Sequence, residues 1–257
     1  MAFMDIDQHD IDWLKMRTGC TTASRIFDIV DRLKVKSKNG EKGDYKASRR
    51  SYMIELICER LTGRASEHYV SDWMSRGIED EDLARAAYER YADVEVTNGG
   101  FFLHDTIEYF GASPDGCIGD NGLLELKNYK PENHYEFLRS GVIPERAIWQ
   151  MNAQLACAPE REYVDFGSYC KEMLSPKLRL FVRRHLRDRE RVAEVETEVK
   201  KFNAELAYEL VELTGVQPTR KEESHEEGVS CPGERPGQEG NDIDGGRGQA
   251  VSSGEEG

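Results

Sequence analysis

No apolar run in this 257-residue chain approaches the ~18–20 residues that a bilayer-crossing helix needs. Its first fifteen residues, MAFMDIDQHDIDWLK, hold no basic segment followed by an apolar one, so no secretory leader is read there. These absences set the expectation of a cytoplasmic protein without membrane contact. There is no CxxC pair either. Six cysteines (Cys20, Cys58, Cys117, Cys157, Cys170 and Cys231) stand at irregular spacings, which speaks for free thiols in a reducing compartment over a metal cluster. Positive charge is in deficit, with 35 Lys and Arg against 49 Asp and Glu and a net charge of −14. That balance argues against a nonspecific coat on a polyanion. It leaves room for an enzyme whose basic groups gather in one cleft. Part of the deficit is local, because residues 219–257 carry ten acids and four bases, −6 of the total, leaving −8 for the rest.

What is present is an alternation of helical and strand patterns, followed by a break in composition. Thr21, Thr22, Ala23 and Ser24 offer an N-cap for a helix through Ile26, Phe27 and Val30, with Arg17 just before it. A helix start beside an arginine is a phosphate-binding arrangement, although a lone Arg is more often a surface charge. Residues 32–50 hold eight Lys and Arg against two acids, a run that suits a DNA backbone or a solvated loop equally well. Helical periodicity follows over 51–62, through Met53, Leu56, Ile57 and Leu61. A second helix over 71–91 has Trp73, Leu83, Ala87 and Tyr91 as its apolar side and Glu79, Asp80, Glu81 and Asp82 in its middle. Two strands are expected around Asn98, Gly99 and Gly100. Further on come helices at 132–141 and 144–157, strands at 162–169 and 177–185, and a long helix from about 187 to 213. That helix carries Val192, Val195, Val199, Phe202, Leu206 and Leu210 on one side. Beyond it Gly, Glu, Ser, Pro and Gln dominate. The division expected is therefore a domain at 1–213 and a disordered acidic tail at 214–257.

The stretch over 111–127, GASPDGCIGDNGLLELK, organises the rest. It places Asp115 in a turn and then two charges in an apolar strand, with Glu125 and Lys127 on one face and Leu124 and Leu126 on the other. An acid and a base on a buried strand are costly unless something uses them. A divalent cation would use the acids, and an attacking water would use the lysine. The plainer reading is a hairpin turning at Asn121 and Gly122, with Glu125 and Lys127 on a solvated edge. PD, nine residues, then ExK is similar to the metal-binding core of the PD-(D/E)xK nucleases. In that reading Asp115 and Glu125 hold a hard cation through oxygen, and Lys127 orients the attacking water or helps deprotonate it. Four-cysteine iron–sulfur relatives of that core have no matching spacing here.

Several segments in order resemble the lambda-type phage exonucleases, or YqaJ-like viral recombinases, across about residues 10–213. They are W-x3-R-x-G-x2-T-A-S from Trp13, with Arg17 and Ser24; SY…E-x-L-T-G from Ser51; and Gly77-x3-Glu81. SPDG at 113–116, LELK at 124–127, WQMNAQLAC, DFGSY and LRLFVRR follow. The resemblance implies an α/β fold with a restriction-endonuclease-like core, a mixed central β-sheet flanked by α-helices. It implies Mg²⁺-dependent 5′→3′ digestion of linear double-stranded DNA to mononucleotides, with Mn²⁺ as a substitute. It also implies DNA ends as substrate, a single-strand-annealing recombinase as partner, and a homo-oligomer in the form of a ring trimer. Carried over residue by residue, Glu81, Asp115 and Glu125 match acidic metal ligands, joined by the Leu126 main-chain carbonyl, and Lys127 matches the residue on the nucleophilic water. Arg17 and Ser24 match a 5′-phosphate pocket, with Ser113 as a further phosphate contact. Gln150 matches the first glutamine of a Q-x-Q-x-Q helix, and Asn152 stands where a second glutamine is common. Glu79 competes with Glu81, and the G-x3-E spacing favours Glu81.

Other readings stay open at this point. The same core serves endonucleases and Cas4-like or RecB-like nucleases. A non-catalytic DNA-end-binding subunit of a recombination complex is the reading from a different class, and the intact D…ExK set argues against it.

Overall fold

The computed structural model describes residues 2–6, 10–38, 40–66 and 72–215, without the side chains of residues 2 and 72–79. The elements follow in chain order. β1 (Ala2–Met4), α1 (Ile11–Arg17), β2 (Thr21–Thr22), α2 (Ile26–Val30), α3 (Ala47–Thr62) and α4 (Asp72–Ala92) come first. β3 (Val96–Thr97), β4 (Phe101–Leu103), β5 (Phe110–Ala112), β6 (Gly116–Ile118) and β7 (Gly122–Asn128) form the middle. α5 (Pro131–Ser140), α6 (Glu145–Cys157), β8 (Tyr163–Tyr169), β9 (Leu180–Leu186) and α7 (Arg189–Thr214) complete it.

The central sheet is mixed, in the order β3-β6-β7-β8-β9, with β7 and β8 parallel and the other neighbours antiparallel. A parallel pair needs a crossover, and α5 and α6 supply it, returning the chain over β7 before β8 begins. Alternation along the strands separates two cores. Leu124 and Leu126 pack with Ala84 and Tyr88 of α4 on one face. Leu123, Val164 and Phe166 join the larger core of α6 and α7 on the other. The apolar stripe of α7 is buried at all six expected positions, and Gly215 caps the helix in the left-handed region at φ 69°. A second, four-stranded sheet runs β1-β4-β5-β2, also mixed. The strands expected around Asn98, Gly99 and Gly100 exist but do not pair with each other, since β3 joins the central sheet and β4 the smaller one.

Two expectations are corrected. The buried side of α4 is Ala84 and Tyr88, with Ala87 packed against them as expected, while Leu83 and Tyr91 are exposed and the Trp73 side chain lies outside the described residues. The basic run over 32–50 is largely paired within the fold: Arg32 with Glu198, Lys36 with Glu41, Lys46 with Asp31, Arg49 with Glu205 and Arg50 with Glu209. Three of those acids lie on α7, so the pairs tie Arg32 and the first turn of α3 to that helix. The acidic tail lies outside the described residues, apart from the last residue of α7 and its cap.

Candidate active site

The site begins where β6 ends. A loop of three residues, 119–121, joins Ile118 to its partner Gly122, with Gly119 at φ 52°. The turn is thus displaced from the expected Asn121 and Gly122. At the other end of β6, Gly116 pairs with Leu124, and Asp115 also donates its N–H to the Leu124 carbonyl at 2.9 Å. Two residues facing one is a bulge, which re-aims the extra side chain. Asp115 Oδ2 accepts the Leu126 N–H at 2.5 Å. The N–H and C=O of one strand residue point to the same edge, so the Leu126 carbonyl faces the Asp115 side. Gly99 lets this turn sit close, since a Cβ there would lie 1.8 Å from the Pro114 carbonyl oxygen.

Glu125 is fully buried on an inner strand. The solvated-edge reading is therefore corrected. Its Oε1 accepts from Gln150 Nε2 at 2.8 Å and pairs with the Lys127 ammonium, while its Oε2 accepts from Gln154 Nε2 at 2.5 Å. The crossover explains this: α6 lies over β7, and residues i and i+4 share a helix face. Burial, then the neighbouring Glu125 carboxylate, push the Asp115 carboxyl well above the usual range, against Lys127 and the Leu126 N–H, and Glu81 adds to the rise. For Lys127 burial acts to lower the pKa, but Glu125 and Asp115 outweigh it and hold the ammonium above its ordinary value. The Lys127 side chain is 35% exposed, which leaves it reachable from solvent.

The donor set is oxygen alone, with two adjacent carboxylates and a backbone carbonyl. That is the chemistry of a hard divalent cation such as Mg²⁺, which binds through one or two carboxylates and keeps several waters. Among the described residues no three His, Cys, Asp or Glu side chains form a cage. Glu81, half-buried on α4, acts on Asp115 through its charge without closing one. The Glu79 side chain lies outside the described residues.

Arg17 and Ser24 are brought together, Arg17 Nη2 donating to Ser24 Oγ at 3.2 Å, with the guanidinium also 5.0 Å from the Trp13 ring. Arg17 lines a recess together with Leu14, Thr22, Tyr52 and Glu55. The expected helix at Ser24 is a 3-10 turn, Ala23–Arg25, running into the five-residue α2. Burial pushes the Tyr52 phenol up to about 12, and its oxygen accepts the Thr22 N–H at 3.0 Å. Ser113 donates its hydroxyl proton to the Gly100 carbonyl at 2.7 Å and accepts from Trp13 Nε1 at 2.9 Å. It thereby ties α1 to the Asp115 turn, and it has no second proton to give a phosphate. Asn152 is fully buried and its amide donates to the Ile148 carbonyl at 2.8 Å, so it packs within α6 and presents no surface to DNA. The i,i+4 spacing of Gln150 and Gln154 puts both on one helix face, but sequence reasoning did not count Gln154 among the site residues. It also left out Trp13, Arg85 and Tyr88, whose partners are distant in sequence.

Fold and site together define an α/β protein with a restriction-endonuclease-like core and a carboxylate–lysine centre on its middle strand. The chain matches the YqaJ-like viral recombinase domain over residues 12–161. It is similar to an alkaline exonuclease, LHK-Exo, from Laribacter hongkongensis, at 39% identity and a TM-score of 0.69, covering 80% of this chain and 97% of that one. The complex of LHK-Exo with dAMP gives 40% identity and a TM-score of 0.70 over the same shares. A phage-related exonuclease from Haemophilus somnus 129PT shares the fold at 14% identity, with a TM-score of 0.54 over 74% of this chain and 96% of that one. No curated protein matches. The chain belongs to the YqaJ-like viral recombinase family.

Proposed function

We propose that this protein is a Mg²⁺-dependent 5′→3′ exonuclease on linear double-stranded DNA, releasing 5′-mononucleotides and leaving 3′ overhangs for single-strand annealing. The observation that carries the reading is the fully buried Glu125, held by two glutamine amides and a lysine beside Asp115. A solved relative named as an alkaline exonuclease, and captured with dAMP, supports it. Asp115, Glu125 and the Leu126 carbonyl, with Glu81 from α4, are the groups that would hold the cation. The chemistry a divalent cation supplies there is polarisation of the scissile phosphate and activation of water as a nucleophile.

The chain's own residues do the rest. Gln150 and Gln154 fix the plane of the Glu125 carboxylate. Lys127 sets a cation at the solvent side of the centre, where it orients water and offsets charge developing on the phosphate. Arg17 and Ser24 take the 5′-phosphate end, and the Trp13–Ser113 bond fixes that pocket against the Asp115 turn. A ring trimer and an annealing recombinase as partner rest on the family resemblance.

The test uses linear duplexes labelled at the 5′ or the 3′ end, with closed circular DNA as control, in Mg²⁺ or EDTA, for the wild type and Lys127→Ala. The expected result is Mg²⁺-dependent release of the 5′ label as mononucleotide, an intact circle and an inactive variant. A nicked circle, or full activity in Lys127→Ala, overturns the reading.

A further inference from the structure

Two motifs take no part in the site as built: DFGSY on β8 and the arginine pair of β9. One residue of each, Asp165 and Arg184, meets Tyr88 of α4. Asp165 is buried on β8, an inner strand, and accepts from Arg184 twice, Nε and Nη2 each at 2.8 Å, and from the Tyr88 hydroxyl at 2.6 Å. Arg184 in turn stacks over the Tyr163 ring at 3.6 Å. One turn earlier on α4, Arg85 Nη2 donates to the Asp115 carbonyl at 2.6 Å. At about 100° per residue, positions 81, 84, 85 and 88 fall in one stripe roughly 100° wide. Ala84 in that stripe is fully buried against the Leu124 and Leu126 side of β7.

A buried, hydrogen-bonded charge is an expensive way merely to attach a helix, since apolar residues of similar volume do as well. What it adds is a fixed register and rotation. Apolar contacts tolerate a slide or a turn of the helix, whereas the Tyr88 hydroxyl and the Arg85 guanidinium reach their acceptors from one placement only. With both tethers made, residue 81 is presented on the sheet-facing stripe, one turn from the residue that grips the Asp115 turn.

We infer that Tyr88 and Arg85, anchored on Asp165 and on the Asp115 carbonyl, are positioning residues that hold Glu81 in reach of the cation site. The inference rests on the reading of Glu81 as a ligand.

The test titrates Mn²⁺ calorimetrically into the full-length protein without DNA, for wild type, Tyr88→Phe, Glu81→Gln and the double variant. Melting in EDTA reports any structural cost separately. Tyr88→Phe should weaken Mn²⁺ binding about tenfold, as loss of an outer partner of a metal site does. Glu81→Gln should weaken it at least as much. The double variant should bind no more weakly than Glu81→Gln alone, because Tyr88 acts through Glu81. If Tyr88→Phe costs the same factor with Glu81→Gln present, or costs nothing, the positioning role is overturned. If Glu81→Gln leaves the affinity intact while Asp115→Asn removes it, the ligand assignment fails and the positioning role falls with it. Arg85→Lys, which shortens the other tether and keeps its charge, carries the same comparison if Tyr88→Phe does not fold.

Discussion

Replacing Gln154 by leucine separates what its amide does for stability from what it does for chemistry. Gln154 is almost wholly buried. Its Nε2 donates to Glu125 Oε2 at 2.5 Å, while its Oε1 is buried and has no hydrogen-bond partner among the described residues. Deleting the donor removes a hydrogen bond to a charged acceptor, worth ~1.5–3 kcal/mol. Deleting the stranded carbonyl returns the cost of an unsatisfied buried acceptor, ~1–3 kcal/mol. Leucine keeps most of the volume, so the two effects oppose each other with little cavity cost. The expected change in unfolding free energy is within ~1 kcal/mol, measured by urea titration in EDTA. Activity should behave differently. Glu125 retains partners on Oε1, but Oε2 loses the amide that fixes the carboxylate plane, and digestion of linear duplex should slow ~10–100-fold. Gln150→Leu is the contrast, because it removes a donor to the same carboxylate without removing a stranded carbonyl. It should cost the full ~1.5–3 kcal/mol. An unchanged rate in Gln154→Leu would show that the Glu125 carboxylate needs no orienting partner on Oε2. A stability loss well above ~3 kcal/mol would show that the carbonyl is satisfied.

Two further outcomes concern the frame around the site. Gly99→Ala places a methyl 1.8 Å from the Pro114 carbonyl oxygen, and backbone on both sides cannot yield as a side chain would. It should cost ~3 kcal/mol or more and slow cleavage by shifting the Asp115 turn, so a variant with wild-type melting temperature and rate would refute the close approach. On β9, burial holds His185 below its ordinary value, against Asp188, and its Nε2 is buried without a hydrogen-bond partner among the described residues. The imidazole is thus harder to protonate folded than unfolded. Its stability contribution is complete above the unfolded value of ~6.5 and is lost as pH falls from there toward the folded value. Urea midpoints at pH 7 and pH 5 should therefore converge in His185→Phe relative to wild type, and an unchanged gap would count against the assignment.

What was legible in the sequence follows from how local each signal is. The stripe of α7 repeats every three or four residues over 26 residues, and packing on one core leaves no other phase for it. Asp115, Glu125 and Lys127 were legible because strand alternation and a short hairpin place them within thirteen residues of one another. The phase of α4 was misread because hydrophobicity favoured Leu83 and Tyr91. The helix is turned instead by the Tyr88 hydroxyl and the Arg85 guanidinium, whose acceptors lie 77 and 30 residues away. Ser113 looked free to meet a phosphate because its partner Trp13 is 100 residues away. The basic run could be read as a DNA contact or a solvated loop because three of the acids that pair it lie on α7, far along the chain. Local periodicity reports which face is apolar. It carries no information about a polar partner that only the topology brings near.

The Pro-Asp pair has a physical reading that spacing alone does not supply. β6 pairs with β7 for only three residues on each strand. Pro114 has no N–H, so it can donate to no rung if β6 is continued toward its own N-terminus. The strand therefore stops, while β7 runs on for four residues past Leu124 with β8 on its other side. The Leu126 N–H, beyond the last rung, takes its acceptor from the Asp115 side chain in place of a backbone carbonyl. The Leu126 carbonyl is turned to the same edge, where β6 supplies no further rung. One residue away, Glu125 is fixed by α6. A proline that ends a strand, and an aspartate that caps what it leaves, thus gather backbone and carboxylate oxygens at one corner of a sheet, with Lys127 on Glu125 and Arg85 on the Asp115 carbonyl. In the function proposed above, this corner is where a hard cation would be held, and it is built by the same two residues that end the strand.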